Sequence, residues 1–195
     1  MASALKLEFV MSAPRLADLP PTAAEVALAG RSNVGKSSLL NALASARKLA
    51  TVSSKPGSTK LLNFFVTPQG TSLVDLPGYG YASTASARMR EAWLRRTERY
   101  LLQREGLRLV LLLVDGEIGP TSLDQEVIAW LRDHGVPFQI VATKHDKVKA
   151  SKRDRRKRDL PAACGVAPSE VIWVSAERNV GIDRLRELVR ETLSA

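Results

Sequence analysis

The most chemically specific stretch of the sequence is an eight-residue glycine loop, Gly30-Arg31-Ser32-Asn33-Val34-Gly35-Lys36-Ser37. It matches the phosphate-binding pattern G-x-x-x-x-G-K-[ST] at every fixed position. Its glycines allow backbone N–H groups to converge on phosphate oxygens, and a following helix would add the positive end of its dipole. Lys36 is placed to neutralise β- and γ-phosphates, and the Ser37 hydroxyl can bind Mg²⁺. The alternative is a chance glycine loop, which the strand pattern before it and the helix pattern after it disfavour.

A second candidate site, Asp75-Leu76-Pro77-Gly78, directly follows a short apolar strand. Ligands of open α/β sheets gather at the C-terminal ends of strands. We therefore expect Asp75 to approach the metal through a water molecule and the Gly78 N–H to sense a γ-phosphate. Taken alone, this tetrapeptide is more typical of an ordinary strand-to-turn sequence. The phosphate loop upstream favours the functional interpretation.

A third candidate, Thr143-Lys144-His145-Asp146, follows another predicted strand and would select the base. The Asp146 carboxylate can accept two hydrogen bonds from the ring N–H and the exocyclic amine of guanine, donors that adenine lacks on that edge. Lys144 can lay its aliphatic stem along the base plane, and Ser175-Ala176 would contribute a backbone N–H toward the 6-oxo group. The alternative is a solvated charged loop, and the motif disfavours an ATP-using kinase.

Strand and helix patterns alternate around these motifs. Strands are predicted at 25–29, 61–66, 71–74, 107–114, 137–142 and 170–174, and helices from residue 36 and over 85–103, 122–133, 147–163 and 182–193. Buried continuous strands alternating with helices predict a three-layer α/β/α fold with a mostly parallel six-stranded sheet and one antiparallel edge strand. Residues 1–22 are interpreted as a lead-in and residues 23–195 as a single domain.

The charge of the chain is concentrated in two segments. Of 29 Lys and Arg against 20 Asp and Glu, residues 147–158 hold eight cations and one Asp, and residues 88–108 hold seven Arg and three Glu. Ser151 and Asp154 suggest a capped helix start, with cations on every side of the helix and no apolar stripe. Structured RNA is the favoured partner, read by shape because only 5% of residues are aromatic. The alternative is a solvated run of charge on a merely basic enzyme.

Other features exclude whole classes of protein. The single cysteine, Cys164, excludes an internal disulfide framework, and the longest apolar run, at 109–114, is far too short to span a bilayer. The N-terminus lacks the basic opening and apolar stretch of a secretory signal. We therefore expect a cytoplasmic protein with no membrane partner.

The motifs GRSNVGKSSLLNAL, KPGSTKLLNFF, LVDLPGYGYA and TKHDK together resemble the EngB (YihA/YsxC) family of TRAFAC-class bacterial GTPases. The resemblance runs from about Glu8 to the C-terminus and implies a P-loop NTPase fold of the Ras-like G-domain type. It places the Mg²⁺ ligands on Ser37 and Thr59. The nucleotide contacts that it implies are Gly30, Arg31, Ser32, Asn33, Val34, Gly35, Lys36, Ser37, Gly57, Ser58, Thr59, Lys60, Leu61, Asp75, Leu76, Pro77, Gly78, Thr143, Lys144, His145, Asp146, Val174, Ser175 and Ala176.

The resemblance also implies a function: Mg²⁺-dependent hydrolysis of GTP to GDP in a switch that acts in large (50S) ribosomal subunit assembly and is needed for normal cell division and septation. The polar segment 50–60 would order when Thr59 reaches Mg²⁺ and the γ-phosphate. Small switch domains of this kind are usually monomeric. The alternative function is a nucleotide-controlled binding protein of the division machinery whose hydrolysis is incidental.

The machinery for hydrolysis departs from that of well-known small GTPases. The residue after D-x-x-G, commonly a glutamine that orients water, is Tyr79, which predicts slow intrinsic hydrolysis. The catalytic roles are assigned to Lys36, Thr59 and Asn33. Asn33 resembles the asparagine that binds K⁺ in cation-activated GTPases, and with equal weight it could be a loop residue chosen because it tolerates positive φ.

Overall fold

In the computed structural model of this chain, the residues described are 2–46, 49–50, 61–79 and 97–195. The strands are β1 (Glu8–Ala13), β2 (Glu25–Gly30), β3 (Leu62–Val66), β4 (Ser72–Asp75), β5 (Leu107–Asp115), β6 (Phe138–Thr143) and β7 (Val171–Trp173). The helices are α1 (Lys36–Leu43), α2 (described over 97–103), α3 (Ser122–Asp133), α4 (Arg153–Cys164) and α5 (Ile182–Ser194). Short 3₁₀ helices cover Leu16–Asp18, His145–Lys147, Ala150–Lys152 and Pro168–Glu170.

All of these strands form one sheet, in the order β1-β3-β4-β2-β5-β6-β7. Strands β4, β2, β5, β6 and β7 pair in parallel, whereas β3 pairs antiparallel with both β1 and β4. The parallel strands therefore all point their C-terminal ends to the same edge, which is where the candidate motifs were predicted. The mostly parallel α/β fold is confirmed.

The strand count differs from the prediction, because the described residues form seven strands rather than six. The extra strand, β1, comes from the segment interpreted as a lead-in, and it makes β3 an inner strand rather than the edge. The sequence of β1 has no alternation of apolar and polar residues, and only Ala13 of this strand is buried. Its place is fixed by backbone pairing with β3 and by an edge-to-face contact of Phe9 with Phe65, whose ring centroids are 5.5 Å apart.

Helices cover both faces of the sheet, as the buried strands require. Along β5, Val110, Leu112 and Val114 pack in the cluster that includes side chains of α2, α3 and α4, whereas Leu111 and Leu113 pack in the cluster of α1 and α5. This alternation follows from the two-residue period of a strand. In the part of the chain that the structure describes, no helix is long and apolar enough to cross a membrane.

A buried polar cluster fastens α2 to the end of the sheet opposite the motifs. The fully buried Glu25 carboxylate accepts two hydrogen bonds from Arg104, each 2.9 Å long, and others from Tyr100 and Ser72, each 2.6 Å long. Arg104 also donates to the Pro20 carbonyl at 2.7 Å. A buried carboxylate with this many donors is satisfied, so α2 is held to β2 and β4 by a bidentate ion pair.

Candidate nucleotide site

The phosphate loop lies between β2 and α1, with its backbone in conformations that favour glycine. Gly30 has φ 155° and Gly35, the residue preceding α1, has φ 109°. A side chain on Gly30 would meet the Leu113 carbonyl oxygen and Val34 Cγ1, both at 2.9 Å, whereas nothing lies within 4 Å of the position of a Cβ on Gly35. Gly30 is therefore required for packing, and Gly35 faces open space at the start of the helix.

Lys36 and Asp75 are two buried charged residues at the phosphate loop. Lys36 is buried, and its Nζ lies 3.4 Å from the Gly30 carbonyl oxygen. Burial lowers the pKa of Lys36 while the charge of Asp75 acts to raise it. Burial raises the pKa of Asp75 to about 6, against the opposing effects of Lys36 and Asn63. Two buried charges with so few partners favour a further charged ligand.

Asp75 ends β4 opposite Leu28 of β2, beside the phosphate loop. Its Oδ1 is buried and has no hydrogen-bond partner among the described residues. An orphaned carboxylate oxygen is a ligand type that Mg²⁺ and its bound waters prefer. The residues present therefore fit a magnesium ion held by Ser37 in the first turn of α1 and contacted through water by Asp75. Thr59, the other ligand that the resemblance implies, lies outside the described residues, as do Gly57, Ser58 and Lys60.

The turn after Asp75 packs directly on the phosphate loop. The Ser32 N–H donates to the Tyr79 carbonyl oxygen at 2.9 Å, and Arg31 and Tyr79 form an isolated parallel bridge. A Cβ on Gly78 would lie 2.9 Å from Ser32 Oγ and 3.0 Å from Ser32 Cα. Gly78 must therefore be glycine for the two loops to meet, and the contact places the backbone of Gly78 beside the phosphate loop.

The Tyr79 side chain points into the fold rather than into the candidate site. Its ring is buried and its hydroxyl donates to Asp124 Oδ1 at 2.9 Å. Asp124 Oδ2 lies 3.1 Å from Arg31 Nε and accepts hydrogen bonds from the N–H and hydroxyl of Thr121, both 2.8 Å long. Burial and the Asp124 carboxylate raise the pKa of Tyr79 well above its ordinary value. Sequence reasoning missed Asp124, whose only signal was its place in the T-x-x-D start of α3.

The base-recognition motif begins at the C-terminal end of β6. The Thr143 hydroxyl donates to the Val34 carbonyl of the phosphate loop at 2.7 Å, which ties the two motifs together. Lys144 is in the left-handed region, with φ 56°, and its Nζ lies 2.7 Å from Asp115 Oδ2. The His145 N–H donates to the Val174 carbonyl at 3.1 Å. Asp115 was not among the predicted site residues.

Two neighbouring polar side chains hold the Asp146 carboxylate, which remains able to accept hydrogen bonds from a ligand. The Ser175 hydroxyl donates to its Oδ1 at 2.5 Å, and Lys147 Nζ lies 3.9 Å from its Oδ2. Although burial acts to raise the pKa of Asp146, the Ser175 hydroxyl, its own backbone N–H, Lys147 and Arg178 together lower it. The Ser175 N–H donates to the Val180 carbonyl at 2.9 Å, so within that dipeptide the Ala176 N–H is the donor left for a 6-oxo group.

The basic segment 147–158 runs from the last residue of the 3₁₀ helix at His145–Lys147, through the 3₁₀ helix at Ala150–Lys152, to the middle of α4. Its exposed cations are Lys147, Lys149, Lys152, Arg155, Lys157 and Arg158. The expectation of a helix without an apolar stripe is wrong, because Leu160 and Cys164 of α4 are buried and the half-buried Arg153 and Arg156 continue that face. The expected Ser151 cap is also absent, since α4 follows Lys152 without a side-chain capping bond.

Of the second basic segment, 88–108, the described part is 97–108. Arg104 is bound to Glu25, and Arg108 donates to the carbonyls of Glu105 and Ala23, both at 3.0 Å. Arg104 thus contributes to the fold and is not free to contact a phosphate. The remaining exposed arginine in this part is Arg99.

Comparison with known proteins agrees with this geometry. A family model described as a 50S ribosome-binding GTPase matches residues 25–144. The probable GTP-binding protein EngB of Pelotomaculum thermopropionicum is 46% identical over 184 residues, covering 93% of this chain and 92% of its own length. The protein of the same description from Desulfitobacterium hafniense (strain DSM 10664 / DCB-2) is 41% identical, covering 100% of this chain and 97% of its own length.

Solved structures show the same architecture. A crystal structure of a probable GTP-binding protein EngB superposes with a TM-score of 0.68 at 24% identity, covering 88% of this chain and 99% of that one. Era, in complex with MgGDPNP and nucleotides 1506–1542 of 16S ribosomal RNA, gives a TM-score of 0.65 at 23% identity, covering 89% of this chain and 57% of the Era chain. At these identities the likeness shows the Ras-like GTPase fold.

Proposed function

This chain belongs to the EngB family of GTP-binding proteins, and from that premise we propose that it is a Mg²⁺-dependent GTP switch in assembly of the large (50S) ribosomal subunit. The proposal includes a requirement for normal cell division and septation, a cytoplasmic location and a monomeric state. The observation that carries the nucleotide part is the meeting of three motifs at one sheet edge. Val34 of the phosphate loop accepts from Thr143 of the base motif, and Ser32 bonds to Tyr79 after the Asp75 turn.

Different residues bind the phosphates and the guanine base of the nucleotide. Backbone N–H groups of the loop from Gly30 to Ser37 and the start of α1 bind the phosphates, and Lys36 neutralises their charge. Asp146 accepts from the guanine ring N–H and amine, and the Ala176 N–H donates to the 6-oxo group. The other nucleotide contacts that the family resemblance implies are Leu76, Pro77 and Val174 and, in the segment around Thr59, Gly57, Ser58, Lys60 and Leu61.

Magnesium, when bound by Ser37 and Thr59, supplies positive charge to the β- and γ-phosphate oxygens. Asp75 would contact the ion through a water molecule, and Lys36 would neutralise the negative charge of the same phosphates. The low polarity around these buried groups strengthens both effects. The family resemblance implies that Thr59 reaches Mg²⁺ and the γ-phosphate in the GTP state, which would make the polar segment 50–60 sensitive to hydrolysis.

We propose that intrinsic hydrolysis is slow, because Tyr79 cannot hold the attacking water. Its hydroxyl is committed to Asp124 in the interior, 2.9 Å away. A K⁺ ion bound through Asn33 would supply charge in place of an arginine from a partner. Asn33 has φ 64°, so the other interpretation, a residue chosen for that backbone conformation, also has support.

The proposed partner is ribosomal RNA of the large-subunit precursor, bound mainly by the exposed cations of α4 and the turns before it. Six of the cations in segment 147–158 are exposed on this surface. They lie beyond the Asp146 end of the nucleotide site, where Lys147 follows the base motif directly. Each phosphate that they neutralise releases counterions, so binding should weaken steeply with salt.

The test is co-sedimentation of the protein with immature large subunits at low salt, in GTP and in GDP. The proposal predicts pelleting in GTP that falls in GDP and in high salt. Failure to bind these particles in either nucleotide state would refute the ribosomal role. That result would favour the alternative, a nucleotide-controlled binding protein of the division machinery with incidental hydrolysis.

A further inference from the structure

We infer that Asp115 is a positioning residue for guanine recognition, acting by fixing the side chain of Lys144. The inference rests on the proposed binding of guanine nucleotides and adds a residue that none of the motifs contains. Asp115 is the last residue of β5 and pairs in register with Thr143, the first residue of the base motif. Asp115 is buried, with 2% of its surface exposed, and its Oδ2 lies 2.7 Å from Lys144 Nζ.

The Asp115 carboxylate is itself held in one orientation. Its Oδ1 accepts from the backbone N–H groups of Glu117 at 3.0 Å and Ile118 at 3.2 Å. Its backbone carbonyl accepts from the Gly119 N–H at 2.8 Å. With one oxygen bound to the following turn, the other is directed at Lys144. The acceptor is therefore organised before any ligand arrives, which is what positioning requires.

The turn that follows Asp115 is packed against the base motif. The Gly116 N–H donates to the Thr143 carbonyl at 2.9 Å, and a Cβ on Gly116 would lie 2.5 Å from that oxygen and 3.0 Å from Trp173 Cζ3. Glycine is needed at this position because no side chain fits. The close approach places the turn that carries Asp115 directly beside the base motif, so the buried Asp115 carboxylate lies within reach of the Lys144 ammonium, whose side chain is 36% exposed.

Lys144 gains from this anchor because its role depends on its stem. A lysine side chain has four rotatable bonds, and a free stem would sample many positions beside the base. Anchoring the ammonium at Asp115 holds the stem extended, with its CH₂ groups available to pack along the purine plane. Because the Lys144 side chain is already ordered in the free protein, binding the base does not incur the entropic cost of ordering it, and the affinity for the base is higher.

The competing interpretation is that Asp115 only caps its own turn. Asp115→Asn separates the two roles. The asparagine oxygen can still accept from Glu117 and Ile118, while its NH₂ group faces the Lys144 ammonium and cannot accept a hydrogen bond from it. A capping role predicts that this variant is neutral for nucleotide binding. A positioning role predicts weaker binding that depends on Lys144.

The experiment measures the dissociation constant for a fluorescent GDP analogue in wild type, Asp115→Asn, Lys144→Met and the double variant. We expect each single change to weaken binding about tenfold, as a coupling of ~1.4 kcal/mol gives, and the double variant to be no weaker than Lys144→Met. Asp133→Asn, an exposed aspartate at the end of α3, is the matched control and should bind like wild type. Additive losses, or wild-type affinity in Asp115→Asn, would overturn the inference.

A second comparison leaves Asp115 and its turn untouched. Lys144→Arg keeps a charged donor that is long enough to reach Asp115, whereas Lys144→Met keeps only an apolar stem. We expect Lys144→Arg to retain more of the wild-type GDP affinity than Lys144→Met, and equal losses in the two variants would refute the role of the Asp115 contact. Absence of GDP binding by the wild-type protein would instead refute the proposed function, so the two failures are distinguishable.

Discussion

At the scale of single residues, the candidate site depends on a few acceptors and donors that neighbouring side chains hold in place. Ser175 and Lys147 hold Asp146, while Asp115 and Asp124, which lie outside the motifs, hold Lys144 and Tyr79. The motif residues themselves could be predicted, because phosphate and guanine chemistry demands particular side chains at particular spacings. Asp115 and Asp124 could not, because their sequence contexts, a strand end and a helix start, are those of ordinary turns and caps.

The base assignment is tested by Asp146→Asn. This change removes the charged acceptor of two hydrogen bonds, each contributing ~1.5–3 kcal/mol, so the dissociation constant for GTP should rise by roughly 100-fold or more. The asparagine NH₂ can donate to the 2-oxo group of xanthine, so affinity for XTP should increase. Competition binding with GTP and XTP measures both. Asp154→Asn, an exposed aspartate of α4, is the control, and a retained GTP preference in Asp146→Asn would contradict the assignment.

The role of Asn33 is tested by comparing GTP turnover in KCl and NaCl. If Asn33 binds K⁺, wild-type turnover should be about tenfold or more faster in KCl, because the ion stabilises charge in the transition state. Asn33→Gly should abolish the difference, and glycine is the appropriate replacement because φ is 64° at this position. Equal wild-type rates in both salts, or an unchanged ratio in the variant, would leave only the backbone role.

At the scale of elements, periodic patterns with clear boundaries were predictable and elements fixed by partners were not. Helix α3 begins and ends at the predicted residues, Ser122 and Asp133, because a capping box precedes an amphipathic pattern. Strand β1 was missed because it is held in the sheet by backbone pairing with β3, and its sequence has no alternating apolar pattern. The buried face of α4 was missed because its three buried residues, Leu160, Pro161 and Cys164, all follow the cations that begin the helix, and tertiary packing decides which face is covered.

The attachment of α2 to the sheet is tested by Arg104→Ala. This change leaves the buried Glu25 carboxylate without its cationic partner, so the free energy of unfolding should fall by ~3–5 kcal/mol. Urea denaturation followed by far-UV circular dichroism measures this. Arg99→Ala, an exposed arginine of α2, the helix that Arg104 directly follows, is the matched control and should change the value by less than about 0.5 kcal/mol. Equal effects of the two changes would refute a structural role for Arg104.

At the scale of the whole molecule, the excess positive charge and the nucleotide-binding groups lie in different parts of the chain. The formal net charge of +9 comes from the two basic segments, of which 147–158 is exposed on α4 and its preceding turns, while Arg104 of the other segment is bound to Glu25. Guanine nucleotide needs only the few groups at the sheet edge. Composition could predict a polyanionic partner but not which cations remain available, because that depends on the ion pairs that form within the fold.

This separation predicts how a neutralised surface behaves. Lys149, Lys152 and Arg158 are exposed, and their combined change to Ser should reduce the slope of log K for large-subunit precursors against log[salt] by roughly 2–3, since each phosphate contact contributes about 0.7–0.9. Affinity for GTP should stay within about twofold of wild type, because none of the three belongs to the nucleotide motifs. The matched control carries the same loss of charge at exposed positions elsewhere, Lys6, Arg15 and Arg184.

The most direct test of the ribosomal role is the binding of these two triple variants and the wild type to immature large subunits in the presence of GTP. If segment 147–158 binds ribosomal RNA, the Lys149, Lys152 and Arg158 variant should bind at least about tenfold more weakly than wild type at physiological salt, whereas the control variant should lose much less. Equal binding by that variant and the wild type, with GTP affinity intact in both, would show that this protein does not dock on ribosomal RNA through segment 147–158.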